Sequence, residues 1–387
     1  MKTLIDKADR FQRAPRPNLG PMRIAKKLLE KRGIDCIYLD SVTADPSIMN
    51  DMFPNLVESF GETTPPEAVA ELREAIARRF SLYYNRPLHP EKEIALIPAG
   101  KMTMTLLFLA LVNPGDIVAV PDPGLAVYRL AGVTAGAEIK TYPLLEKNDY
   151  LPNPAFFESN SRRLKLVIVN YPHNPTGVEA DLYFYHELLD VLKRNNALIV
   201  ADCPYCGISE PPTVLPLQIP RSMKRIIELH SFGFPYGIPD FGFAIGHKDA
   251  IANLAQIVHL FGLRPTSLQL KSAHLALQNH AEIESAYLSR IDGRRKAMID
   301  CLRELGLGVR QTRHGPFVWA KIPPRATSTG FARKIFVRTG VRVRPGSDFG
   351  EHGEGYIRIS LTVSDDLFGK AVKALTNSSG MRLGKRV

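Results

Sequence analysis

Short runs of apolar, mostly branched residues recur along this chain, separated by longer segments with apolar residues at helical spacing. Residues 117–120, 164–170, 197–201 and 241–245 are nearly all apolar, and 225–230 carries Ile226, Ile227 and Leu229 in a similar short run, the pattern of strands buried on both faces. Between them, residues 66–84 place Val69, Leu72, Ile76 and Phe80 on one helical stripe behind Pro66 and Glu67, which predicts a helix with its start marked. Residues 181–194 predict another, and 102–112 a buried one. Such alternation is that of a mostly parallel sheet covered by helices. A long periodic segment, 273–305, interrupted only at Asp292-Gly293, leads out of the sheet. Beyond it we expect a strand at 316–322, a helix at 330–339, a strand at 356–361 and a helix at 365–375, closed by a frayed polar tail from 376. The expected division is an N-terminal segment 1–58 packing with the small domain, a large domain 59–289 and a small α+β domain 290–387.

Composition narrows the picture little. An apolar fraction of 45% with 23% charged residues over 387 positions is that of a globular protein. The longest apolar stretch, 102–112, falls well short of the roughly 20 residues needed to span a bilayer. The first residues carry no apolar run of the kind export requires, and four cysteines do not make a disulfide framework. A cytoplasmic location is therefore expected, with no membrane partner. The net charge of +11 is uneven, because residues 290–387 hold 20 Lys and Arg against 8 Asp and Glu. An acidic partner or an anionic substrate suits that excess, as does a plain solvated face, and nucleic acid is a remote reading.

Four segments carry chemistry. Asn113-Pro114-Gly115-Asp116 precedes Pro121-Asp122-Pro123-Gly124 and Tyr128. Asn170-Tyr171-Pro172-His173-Asn174-Pro175-Thr176-Gly177 follows a strand, as does Ala201-Asp202-Cys203-Pro204-Tyr205. Gly355-Tyr356-Ile357-Arg358-Ile359-Ser360 lies near the end, with Arg344-Pro345-Gly346 just before it. Each alone has a bland explanation as turn, cap or solvated strand. In this order and spacing they resemble the class I and II aminotransferases, most of all the diaminopimelate and aspartate branch, over nearly the whole chain. The resemblance implies the fold type I architecture of pyridoxal-phosphate (PLP) enzymes, an α/β large domain with a small α+β domain, and a homodimer. It also implies residue roles: Asp202 pairs with the ring nitrogen of PLP, Asn174 and Tyr205 face its phenolic oxygen, Gly100 and Lys101 cradle its phosphate at a helix start, and Arg358 forks onto a substrate carboxylate.

The sequence departs from the family where the Schiff-base lysine belongs. Against the pattern Ser-x-Ser-Lys, then Arg-x-Gly-Phe, it reads Ser231-Phe232-Gly233-Phe234 and Asp240-Phe241-Gly242-Phe243, with a loop two residues shorter. Phe234 stands in the lysine's place, Asp240 occupies or adjoins that of the phosphate-binding arginine, where it should repel phosphate, and Leu125 stands in that of the ring-stacking aromatic. Phenylalanine can neither form an imine nor carry a proton. Lys224 and Lys248 lie at the far ends of the flanking strands. Four readings follow: an amino-acid or carboxylate binder without ordinary transamination, an enzyme holding PLP non-covalently with His230 or Tyr236 as acid or base, an ordinary aminotransferase with an unforeseen lysine, and a redox or metal protein built on Cys203 and Cys206.

Overall fold

The computed structural model describes residues 20–42, 65–159, 164–194, 196–206 and 212–378. Most of the N-terminal segment and the tail beyond 378 lie outside the described residues. Seven strands form the main sheet: β2 (Ile94–Ile97), β3 (Ile117–Asp122), β4 (Glu138–Pro143), β5 (Leu164–Val169), β6 (Leu198–Asp202), β7 (Ile226–Ser231) and β8 (Gly242–Ile245). Their order is β2-β8-β7-β6-β5-β3-β4. The pairs β3–β4, β3–β5, β5–β6 and β6–β7 are parallel, and β8 runs antiparallel to both of its neighbours.

Alternate residues of each central strand feed two cores, as the double-sided apolar runs require. Val118, Val120, Leu166 and Ile227 pack with Leu107 and Phe108 of a helix at Lys101–Leu111 and with Leu254 of one at Lys248–Leu260. Ile117, Ala119, Val167 and Ile199 face the other way, toward Leu188 of a helix at Leu182–Lys193 and Phe80 of one at Pro66–Tyr84. In chain order these helices are α2 (Pro66–Tyr84), α3 (Lys101–Leu111), α5 (Leu182–Lys193) and α6 (Lys248–Leu260), with α1 at Gly20–Lys31 and α4 at Ala126–Ala135. Among the described residues no helix is long and apolar enough to cross a membrane.

Two expected features differ. The long periodic segment breaks at Asn279, between α7 (Ser267–Gln278) and α8 (His280–Glu304), and Gly293 sits inside α8. A helical glycine costs only about 1 kcal/mol, and Ile283, Tyr287, Ile291 and Met298, all buried on one side of α8, outweigh it. The small domain holds β9 (Gly308–Val309), β10 (Phe317–Lys321), α9 (Ser328–Thr339), β11 (Val341–Arg342), β12 (Arg344–Pro345), β13 (Tyr356–Ser360) and α10 (Asp365–Asn377). Strand β1 (Ile37–Tyr38) pairs in parallel with β11, and the Ser360 N–H donates to the Leu39 carbonyl at 2.8 Å. The described N-terminal residues thus lie against the small domain.

Gly242 opens β8 where it meets β7, and a Cβ there would come 2.1 Å from the His230 carbonyl oxygen. Gly242→Ala is expected to cost about 1–3 kcal/mol through backbone displacement, read as a lower denaturant midpoint at unchanged slope.

Candidate active site

The carboxyl ends of the parallel strands meet one cavity of about 860 Å³ between the two domains, where open α/β sheets bind ligands. Asp202 ends β6 and faces this cavity. Burial raises its pKa to about 6, against the pull of the Tyr128 hydroxyl, which donates to Oδ2 at 2.6 Å. The loop after β5 is tied to the same strand: Asn170 Nδ2 donates to the Asp202 carbonyl at 2.7 Å, and Asn170 Oδ1 accepts the Asn174 N–H at 3.0 Å. Asn174 Nδ2 donates to the Tyr205 hydroxyl at 2.9 Å and its Oδ1 accepts from Arg358 Nη1 at 2.8 Å. Arg358 Nη2 donates to the Asp40 carbonyl at 2.7 Å, while its Nε, also buried, has no partner. The guanidinium lies 5.1 Å from the Phe349 ring centre and 5.7 Å from that of Phe317. Burial lowers its pKa to about 10, so it remains a cation at neutral pH. Asp202, Asn174, Tyr205 and Arg358, picked out separately in the sequence, form one hydrogen-bonded assembly, of which Asp202 and Tyr205 line the cavity and Asn174 and Arg358 do not. Tyr128, Asn170 and Asp40 complete the assembly.

Phe234 is 6% exposed and meets Tyr205 and Tyr287 edge-on, at centroid distances of 5.5 and 4.8 Å. Lys101, the first residue of α3 behind Gly100 (φ 69°), lines the cavity and is its sole lysine among the described residues. Lys224 and Lys248 do not line it. Asp240 is exposed and stays off the cavity wall, so the expected repulsion of phosphate is absent and only the arginine's attraction is missing. Leu125 does line the cavity.

Both proposed acid–base groups are engaged elsewhere. His230 reaches the rim, but its ring stacks on Phe243 at 4.8 Å and its Nε2 lies 3.1 Å from Glu228 Oε2. Glu228 and His230 flank Leu229, which is the register partner of Asp202, so alternation sends them to the opposite face of the sheet. The Tyr236 hydroxyl bonds to His280 Nδ1 at 2.7 Å, lies outside the cavity wall, and has its pKa pushed up to about 12 by burial.

Sequence comparison now adds to the geometry, because the profile described as aminotransferase class I and II matches residues 54–375. The chain belongs to this family. It is similar to curated relatives over most of its length. The LL-diaminopimelate aminotransferase of Halothermothrix orenii is 32% identical over 97% of this chain and 99% of its own, and that of Aquifex aeolicus 32% over 79% and 81%. Substrate-bound BacF from Bacillus subtilis superposes with a TM-score of 0.83 at 26% identity, covering 99% of this chain and 100% of BacF. The aspartate aminotransferase of Thermotoga maritima shares the fold, with a TM-score of 0.83 at 21% identity over 96% and 99%.

Two further features bear on what a class I/II aminotransferase could do with this cavity. Its small-domain wall presents Arg344, Asp348, Glu351 and Glu354, and Arg344 Nε is already bound to Asp348 Oδ2 at 2.8 Å. The excess of basic residues in the last quarter of the chain therefore does not reach the wall, and the expected preference for an acidic substrate finds no support there. The Cys203 thiol pKa is raised by its hydrogen bond with Cys206 and by burial, and that of Cys206 by burial. Reactive dithiols need the opposite shift. Among the described residues no group of three or more His, Cys, Asp or Glu is placed to hold a metal.

Proposed function

We propose that this chain is an aminotransferase-family protein that binds an α-amino acid through Arg358 and holds PLP, where PLP binds, without a covalent bond, so that ordinary lysine-dependent transamination is not its reaction. The observation that carries the reading is Phe234, packed edge-on against Tyr205 and Tyr287 where the resemblance places a lysine. The residues fit the ring and phosphate of PLP and do not fit its covalent anchor. Asp202 would hold the ring nitrogen, Tyr205 and Asn174 the phenolic oxygen, and the amides at Gly100 and Lys101 the phosphate. Bound there, PLP supplies an electron sink. Arg358 orients the carboxylate through its unpartnered Nε and a Nη released from Asn174 or Asp40. Glu351 on the small-domain wall favours a substrate whose distal end is zwitterionic or cationic, in keeping with the diaminopimelate in the relatives' names. We also propose a homodimer, which sedimentation would test.

The deciding experiment is an absorbance titration of the purified protein with PLP, followed by borohydride and peptide mapping. Non-covalent binding predicts a spectral change that borohydride fixes to no residue of the cavity. A stoichiometric adduct on Lys101 or any other lysine would overturn the reading.

Asp202 sets the pH dependence. With its pKa at about 6, it loses the negative charge that a cationic ring nitrogen needs as pH falls through that value. PLP affinity is therefore expected to weaken steadily from pH 7.5 to 5, and Asp202→Ala to remove both the affinity and its pH dependence. The same raised pKa acts on stability with a definite sign. Its contribution is fully present below the ordinary value of 3.8 and lost as pH rises through about 6.

A further inference from the structure

Resting on the reading of Arg358 as carboxylate clamp, we infer that Asp122 is a positioning residue that latches the small domain onto the large one and couples closure of the cavity to carboxylate binding. Asp122 ends β3 and is 3% exposed. Its Oδ2 accepts the Glu351 N–H at 3.2 Å and its Oδ1 the His352 N–H at 3.1 Å, with His352 Nδ1 3.5 Å from Oδ2. Two residues on, the Gly124 N–H donates to the Phe349 carbonyl at 2.8 Å, and Arg129 Nη2 donates to the same oxygen at 3.1 Å. The turn at residues 349–352 thus hangs by its backbone from residues 122–129 of the other domain. It sits so low on the carboxylate that a Cβ on Gly350 would meet Oδ1 at 2.0 Å. This turn joins the clamp to the wall, since Phe349 lies under the Arg358 guanidinium while Gly350 and Glu351 face the cavity opposite Leu125 and Arg129.

A carboxylate satisfied by backbone amides of another domain exchanges them for water when the turn lifts, so each bond contributes only part of its strength in isolation to holding the turn down. Interfaces between domains of one chain are mobile by default. A ligand that prefers the arrangement of Arg358 over Phe349 therefore draws the turn down, and the docked turn in return improves the site, because both act on one equilibrium.

The test uses amide hydrogen exchange of residues 349–354 and calorimetric affinity for LL-diaminopimelate, in the full-length protein and in the variants Asp122→Asn and Gly350→Ala. We expect LL-diaminopimelate to slow exchange of this turn at least fivefold in the wild type. Both variants should exchange the turn faster without ligand and bind about tenfold more weakly. A melting-point loss with unchanged affinity and unchanged exchange at 349–354 would reduce Asp122 to a structural residue and overturn the inference. Faster exchange with unchanged affinity would overturn the coupling. Failure of the wild type to bind this dicarboxylate or any amino acid would bring down the functional reading and the coupling with it, while the ligand-free exchange of Asp122→Asn still decides whether the turn is latched there.

Discussion

Replacing Phe234 by alanine is expected to lower stability by about 3–5 kcal/mol, the range for deleting a buried aromatic ring. The ring is nearly fully enclosed and touches Tyr205 and Tyr287 edge-on, an arrangement that adds about 0.5–1.5 kcal/mol per aromatic pair to burial alone. Chemical denaturation measures it directly. A loss below about 1 kcal/mol would mean that the ring is dispensable filler and that the site tolerates a different residue there. Phe234→Lys asks the complementary question, since it returns a primary amine to the side of Tyr205. Burial costs that amine its charge, which favours the nucleophilic free base, and PLP is expected to give a band that borohydride fixes on residue 234. No adduct would place the cavity's ring site out of reach of this position and would remove Phe234 from the functional argument.

Arg358→Ala is expected to abolish amino-acid binding, with at least a hundredfold loss of affinity in calorimetry. Two effects combine. The bidentate carboxylate partner disappears, and Asn174 Oδ1 and the Asp40 carbonyl lose the cation that binds them at 2.8 and 2.7 Å. Bonds to a charged donor are each worth about 1.5–3 kcal/mol, so the variant should also melt earlier. Arg358→Lys separates the two, because it keeps a positive charge without the planar fork. It should retain most of the stability and still bind at least about tenfold more weakly. Equal affinities in all three proteins would sink the carboxylate clamp.

Much of this architecture was legible in the residues. The central strands β3, β5, β6 and β7 are runs such as Leu164–Val169 that only a doubly covered sheet accommodates, and all were expected within two residues of where they lie. The strands β2 and β4 were missed for physical reasons. Ile94–Ile97 is four residues long beside a prolyl turn, and Glu138–Pro143 lies at the sheet's margin, where half-exposed Lys140 and exposed Thr141 leave no apolar run to read. The same contrast holds at the candidate site. Asp202, Asn174, Tyr205 and Arg358 sit in short motifs, but the hydroxyl on Asp202 comes from Tyr128, 74 residues away, and the carbonyl on Arg358 from Asp40, 318 residues away. Tyr128 belongs to a recognisable segment, but nothing local marks it as the partner of Asp202, and nothing local marks Asp40 at all. Nor does charge composition reveal that the basic last quarter turns an acidic wall inward.

The tie between Asp40 and Arg358 also has a bearing on how the protein is made. The sheet and its ring-facing loops are complete in sequence at Ile245, yet the clamp needs a residue from near the start of the chain and one 113 positions further on. During synthesis a nascent chain can pack its large sheet while Asp40 waits for a partner that has not emerged, so the site becomes competent for ligand only at the end of translation. A ligand added to a stalled chain lacking β13 should find the cavity's ring side and no clamp.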